Sequence, residues 1–172
     1  MPDARVARTR QHVLETTRRL LADHAGEPIT FSSIAKAAQV ARKTLYVHWS
    51  SVAHLISDLL LTEHEAEPPP AEGLPRPERL SAFATGVRDA FQDPATRAAM
   101  AYLVNAATSD PVAAEALTRL TLIRTRQLAA QTGTEPDPER LAALVGPLLF
   151  SQMIAGVPAS DDFIAHLVER EG

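Results

Sequence analysis

The sequence predicts an all-α protein of about nine helices, and three observations carry that prediction. Apolar residues recur at helical spacing in segment after segment, and no stretch sustains the alternation of a strand. Asp93-Pro94, Asp110-Pro111 and Asp137-Pro138 each place a capping carboxylate before a proline, which is tolerated at a first helical position because its missing N–H has no partner there. Between Thr30 and Trp49, two short helical patterns lie close enough to be joined by a tight turn.

Helix 1 is expected to run to about Asp23–His24, with Val13, Thr17, Leu20, Leu21 and His24 at helical spacing and Gly26 and Pro28 as the stop. Arg5, Arg8 and Arg10 precede or open it, and both a solvated helix end and phosphate contact fit them. Thr30 is a good N-cap for helix 2, whose small apolar face is Ile34, Ala35 and Ala38. Gln39 and Val40 make the turn, and helix 3 follows from about Ala41, with Leu45 and Trp49 on its buried side. Ser50 and Ser51 supply a cap for helix 4, which carries Leu55, Ile56, Leu59 and Leu60 to about Glu65. Five prolines and one glycine in residues 67–77 exclude a helix there and mark a boundary. Further helix starts fall at about 77, 94, 111, 138 and 161, the last announced by Ser160-Asp161-Asp162, with acids favourable in a first turn. A domain of residues 1–66 and another of 67–172 follow.

With Leu45 turned inward at roughly 100° per residue, Lys43 and Val47 point most directly outward, Thr44 and Tyr46 lie beside them, and Arg42 and His48 flank them. Such a front suits a DNA groove. Arg42 and Lys43 reach phosphate oxygens or guanine edges, Thr44 bonds to either, and Val47 meets a thymine methyl. A solvated face on an ordinary helical pair accounts for the same residues.

Charge distribution bears on that choice. The chain carries −4 overall, but residues 1–60 hold eight basic against five acidic side chains, +3, and residues 61–172 hold nine against sixteen, −7. A basic N-terminal module on an acidic body is the asymmetry expected when one end meets phosphate. With 45% apolar residues, extensive disorder is not expected. The absence of cysteine excludes disulfides, thiolate metal sites and thiol nucleophiles. No apolar run approaches the ~20 residues of a membrane span, and no secretory signal stands behind MPDARVARTR, so a soluble cytoplasmic protein is expected.

The motif Thr30-x-x-x-Ile34-Ala35, Ala38-x-Val40, Thr44-Leu45-Tyr46-x-His48-Trp49, with Leu55 early in helix 4, resembles the DNA-binding signature of TetR-family transcription regulators. Three positions depart from it. Gln39 stands where the family usually has Gly, Ala41 replaces the usual Ser cap, and Val52 replaces a Lys that usually meets a phosphate. The resemblance implies a helix-turn-helix at 30–49 that contacts operator DNA through Thr30, Arg42, Lys43, Thr44, Tyr46, Val47 and His48. It also implies a C-terminal regulatory and dimerisation domain.

The run from Leu144, LVGPLLFSQMIAGVPASDDFIAHLV, resembles the C-terminal part of one TetR subgroup, in which the last two helices pair with their copies as a four-helix bundle. The resemblance places Leu141, Leu144, Val145, Leu148, Phe163, Ile164, Leu167 and Val168 at a homodimer interface, and burial within one subunit is the competing reading. Leu149 and Met153 extend the first stripe, Gly156 and Pro158 end it, and a kink is expected near Pro147.

Catalysis has no visible constellation: nucleophile elbow, P-loop and Gly-rich phosphate fingerprint are all missing, and no cofactor is expected. Asp162 and His166 are four apart, but without a third ligand they fit a surface ion pair rather than a metal site. Arg88, Phe91, Met100, Tyr102, Asn105 and Gln152 are candidates for a small-molecule effector pocket, being polar or aromatic groups on apolar helices, and a structural role for each is the alternative. The expected function is a ligand-responsive repressor. The alternative is a helical small-molecule or protein-binding module that has lost operator recognition.

Overall fold

The computed structural model describes residues 4–23, 28–65 and 73–171. The predicted stop at Gly26, His24 and residues 67–72 of the proline-rich segment lie outside the described residues, as do the side chains of His64 and Glu65. Among the described residues there are nine α-helices and no strand: α1 (Ala4–Asp23), α2 (Phe31–Ala37), α3 (Arg42–His48), α4 (Val52–Glu65), α5 (Arg76–Gln92), α6 (Pro94–Ala106), α7 (Pro111–Thr132), α8 (Pro138–Leu149) and α9 (Asp161–Glu171).

The starts follow the capping chemistry. Thr30 and Ser33 cap α2 reciprocally: the Ser33 amide donates to Thr30 Oγ1 at 3.1 Å and the Thr30 amide to Ser33 Oγ at 3.0 Å. Ser51 Oγ accepts the His54 amide, Asp110 Oδ1 the Val112 amide, Asp137 Oδ1 the Glu139 and Arg140 amides, and Ser160 Oγ the Phe163 amide. α5 begins one residue earlier than the sequence suggests, at Arg76, with Pro77 in its first turn.

The described residues of Met1–Glu63 and Pro94–Leu117 form one compact unit, and those of His64–Asp93 and Thr118–Gly172 a second. In the second, α5 packs against α8 and α9. Leu80, Phe83, Ala84, Val87 and Phe91 of α5 are buried, as are Leu141, Leu144 and Leu148 of α8 and Ile164, Leu167 and Val168 of α9. The last six are among the eight residues expected at a homodimer interface, for which burial within one subunit is the competing reading. Those last six residues are interior to a single chain, so only Val145, half-buried, and Phe163, exposed, keep surface to offer a second copy.

α8 passes through Pro147 and widens into a π-turn at Phe150–Ile154, where the Ala155 amide donates to the Phe150 carbonyl at 2.9 Å. The irregularity thus sits just after the proline, whose missing N–H already interrupts the hydrogen-bond ladder. Gly156, at φ +70°, then reverses the chain, a conformation L side chains resist. At the far end of α9, Arg140 Nε donates to Glu171 Oε2 at 2.7 Å, and Arg76 Nη2 donates to the Glu171 carbonyl at 3.0 Å.

In the first unit α1 packs along α6 and against α2, and α2 against α3. Val13, Leu14, Thr17, Ile34, Leu45, Trp49, Leu55, Ile56, Leu60, Ala99 and Leu103 are buried there. The buried Thr17 hydroxyl is satisfied by the Val13 carbonyl at 2.9 Å. One carboxylate organises three elements. Asp58 of α4 accepts the Trp49 indole N–H on Oδ2 at 2.8 Å and the Arg10 guanidinium of α1 on Oδ1. Arg10 is therefore committed within the fold.

Asp58→Ala should lower the free energy of unfolding by about 2 kcal/mol, the scale of losing hydrogen bonds to a charged group while a buried indole N–H is left unpaired. Urea unfolding followed through the emission of Trp49, the chain's single tryptophan, measures this. An unchanged midpoint would show that the carboxylate does not tie the three helices.

Candidate nucleic-acid interface

α3 has only seven residues, too few to persist alone. It is held from behind: Leu45 is fully buried, and Trp49, whose amide closes the helix on the Leu45 carbonyl at 2.9 Å, is buried too. The front faces water as the wheel predicts. Val47 is 72% and Tyr46 55% exposed, Arg42 and Lys43 are exposed, and Thr44 and His48 are half-buried on the flanks.

Three of these side chains are braced. The Tyr46 ring meets Phe31 edge-on, with centroids 4.9 Å apart and planes at 90°, and Arg42 Nη2 reaches Tyr46 Oη at 3.4 Å. The His48 ring lies tilted on Trp49 at 5.3 Å. Thr30 is exposed, but its hydroxyl is engaged in the cap of α2. Lys36, in the last turn of α2, is a further exposed cation that the wheel of α3 could not reveal. Thr30, Phe31, Arg42, Tyr46, Ser51 and Val52 are among the residues lining an open cleft of about 280 Å³ between the starts of α2 and α4.

The turn carries the departures noted in the sequence. Gln39 lies at φ +53°, left-handed, the one such non-glycine among the described residues. A Cβ there strains against the backbone, so the position favours glycine. The turn is held regardless: the Val40 amide donates to the Ala35 carbonyl at 3.0 Å, and His12 Nε2 of α1 bonds to the Ala38 carbonyl at 3.0 Å. Ala41 is the N-cap of α3 and offers no side-chain acceptor. Val52 opens α4 half-buried.

Neither the His12 contact nor the Asp58 bonds were visible in the sequence. The available signal for Asp58 was a lone acid within the apolar run of α4. Arg5 and Arg8 remain exposed on α1.

The six pocket candidates divide between the two units, so neither unit assembles the full set. Met100 and Tyr102 are half-buried and Asn105 is exposed on α6 in the first unit. Burial, and then the charge of Asp110, push the Tyr102 phenol above its ordinary pKa, so it stays a neutral hydroxyl near pH 7. In the second unit Phe91 is buried and Gln152 Oε1 is buried without a hydrogen-bond partner. Arg88 is engaged there: its bonds to Asp161, at 2.5 Å, and to Asp89 raise its pKa further and hold it charged.

A short, exposed basic helix braced by a tight turn and an apolar rear defines a helix-turn-helix protein of the DNA-binding class. Residues 13–59 match the model for bacterial regulatory proteins of the tetR family. Over those residues the chain resembles the TetR family of regulators. It is 32% identical over 108 residues to the HTH-type transcriptional regulator AqdR of Rhodococcus erythropolis. That match spans 63% of this chain and 52% of AqdR, about half its length. Among solved structures, the TetR family transcription regulator SCO0332 is 26% identical with a TM-score of 0.65, the alignment covering 95% of this chain and 96% of that one. The Streptomyces coelicolor A3(2) protein SCO7518 shares the fold at 19% identity and a TM-score of 0.67, over 95% of this chain and 97% of that one.

The two turn departures predict gains. Ala41→Ser should stabilise the chain by about 1 kcal/mol by capping α3, and Gln39→Gly by up to about 1 kcal/mol, relief of left-handed strain exceeding the added chain entropy. Both should raise the thermal midpoint. A lower midpoint for Gln39→Gly would show that its side chain contributes more than its backbone costs.

Proposed function

We propose that this chain is a sequence-specific DNA-binding transcriptional regulator, a repressor acting as a homodimer in the cytoplasm and released by a small molecule. The observation that carries the reading is the exposed Arg42, Lys43, Tyr46 and Val47 on one side of α3, with Leu45 and Trp49 locked behind. Arg42 and Lys43 supply donors for guanine edges or phosphates, and Val47 an apolar contact for a thymine methyl. Arg42→Ala and Lys43→Ala should each weaken specific binding by about 1–3 kcal/mol if they read bases. The test is an anisotropy titration against a duplex selected from a random-sequence pool on the unmodified chain. Unchanged affinity in both variants would take α3 out of the groove.

A dimer supports this reading because two recognition helices must lie about 34–36 Å apart to enter successive major grooves on one face of DNA. We assign the interface to the outward side of the α8 segment and α9. Phe150 is 62% and Ile154 73% exposed, and Val157 and Phe163 are exposed too, with Val145 and Leu149 half-buried on the same segment. Large apolar side chains concentrated in this way fit a covered surface. Ile154→Glu should yield a monomer by light scattering at micromolar concentration, with the helical content of the chain retained. A monomeric unmodified chain would defeat the assignment.

For release, a ligand must bind the non-binding arrangement better than the DNA-competent one. Arg88, Phe91, Met100, Tyr102, Asn105 and Gln152 remain the candidates for contacting it. A second reading, a helical module without operator recognition, is favoured by the strained Gln39 and the uncapped start of α3. Failure of the unmodified chain to enrich any duplex from the pool would select it.

A further inference from the structure

The first turn of α4 lies beside the helix-turn-helix: Ser51 and Val52 line the cleft together with Arg42 and Tyr46. Something must fix that turn against the rest of the first unit. Ser51 does so with both roles of its hydroxyl. Its oxygen accepts the His54 amide at 3.1 Å, capping α4, and its proton is donated to Asp110 Oδ2 at 3.4 Å. Asp110 is itself rigid. Its other oxygen accepts the Val112 amide at 2.9 Å, its carbonyl accepts the Ala114 amide at 3.2 Å, and its own amide donates to the Ala106 carbonyl at 2.8 Å. The carboxylate thus sits at the corner where α6 ends and α7 begins, with one oxygen capping α7 and the other reaching the cap of α4. Tyr102 of α6 senses the same carboxylate.

We propose that Asp110 is a positioning residue for DNA binding: through Ser51 it sets the first turn of α4, so the α6–α7 corner tunes the affinity of the helix-turn-helix for DNA. The proposal rests on the DNA-binding reading above. A purely structural cap would need only the oxygen that serves Val112; the second oxygen is what ties α7 to α4.

A double-mutant cycle separates the two roles. Asp110→Ser keeps a capping oxygen for α7 but is too short to reach Ser51. Ser51→Ala removes the cap of α4 in either background, so that loss cancels within the cycle, as does the charge removed by Asp110→Ser. The readout is duplex affinity by anisotropy, against the duplex selected on the unmodified chain, at a temperature where Trp49 emission shows all four proteins folded. Ser51→Ala should weaken binding roughly three- to tenfold in the unmodified chain, the fold-change of one hydrogen bond, and distinctly less when combined with Asp110→Ser. Equal losses in the two backgrounds would overturn the proposal while leaving the DNA-binding reading intact. An unmodified chain that binds no duplex would overturn both. Should Asp110→Ser fail to fold, Asp110→Thr, with a comparable cap and reach, takes its place in the same cycle.

Discussion

The DNA-binding end depends on one carboxylate. A helix of seven residues has too few internal hydrogen bonds to hold its own shape, so the direction in which Arg42 and Lys43 point is decided by what lies behind them. Trp49 ends that helix, and its indole is the largest fully buried side chain of the chain. Apolar packing alone tolerates rotation and sliding of such a ring, whereas a directional N–H bond does not. Asp58 supplies the acceptor, and Arg10 neutralises the carboxylate that this placement half removes from water. Two consecutive helices, α3 and α4, and the distant α1 are thereby registered through a single side chain, and the exposed face inherits that register.

Much of this architecture was legible in local chemistry. Asp110, Asp137, Ser51, Ser160 and Thr30 announce helix starts because capping acts over two or three residues, within the reach of a sequence reading. The outward residues of α3 were legible for a similar reason, since one helical wheel fixes all of them once Leu45 is turned inward. The bonds from Arg10 to Asp58 and from His12 to the Ala38 carbonyl were not. They join positions forty-eight and twenty-six apart, and no periodicity encodes which partner a polar side chain meets across a core. The apolar stripes of α8 and α9 mark a third boundary. Their width predicts burial but not the covering surface, and α5, whose own pattern is weaker, takes Leu141, Leu144, Leu148, Ile164, Leu167 and Val168 into one chain.

The local conflicts concentrate at one place. Gln39 is held left-handed and Ala41 leaves the recognition helix uncapped, whereas Thr30, Ser51, Asp110, Asp137 and Ser160 cap five other helix starts. Strain and unmet capping are sustained only where surrounding contacts over-determine the conformation. Here those contacts are the bonds of Val40 and His12 and the packing of Leu45. The turn is therefore stabilised by its neighbours rather than by its own sequence, and its rigidity is a property of α1 and α2 as much as of the turn.

The widened turn after Pro147 has a geometric meaning of its own. A π-turn is an α-helix carrying one extra residue, and that residue advances everything after it by about 100° around the axis. Before the widening, Leu141, Leu144 and Leu148 face the interior; within it, none of Phe150–Ile154 is buried. One continuous helical segment thus directs apolar side chains first to one side and then to another. A single-residue insertion is enough to produce that change of phase, so a new outward apolar surface can arise in such a protein with every leucine of its existing core left in place.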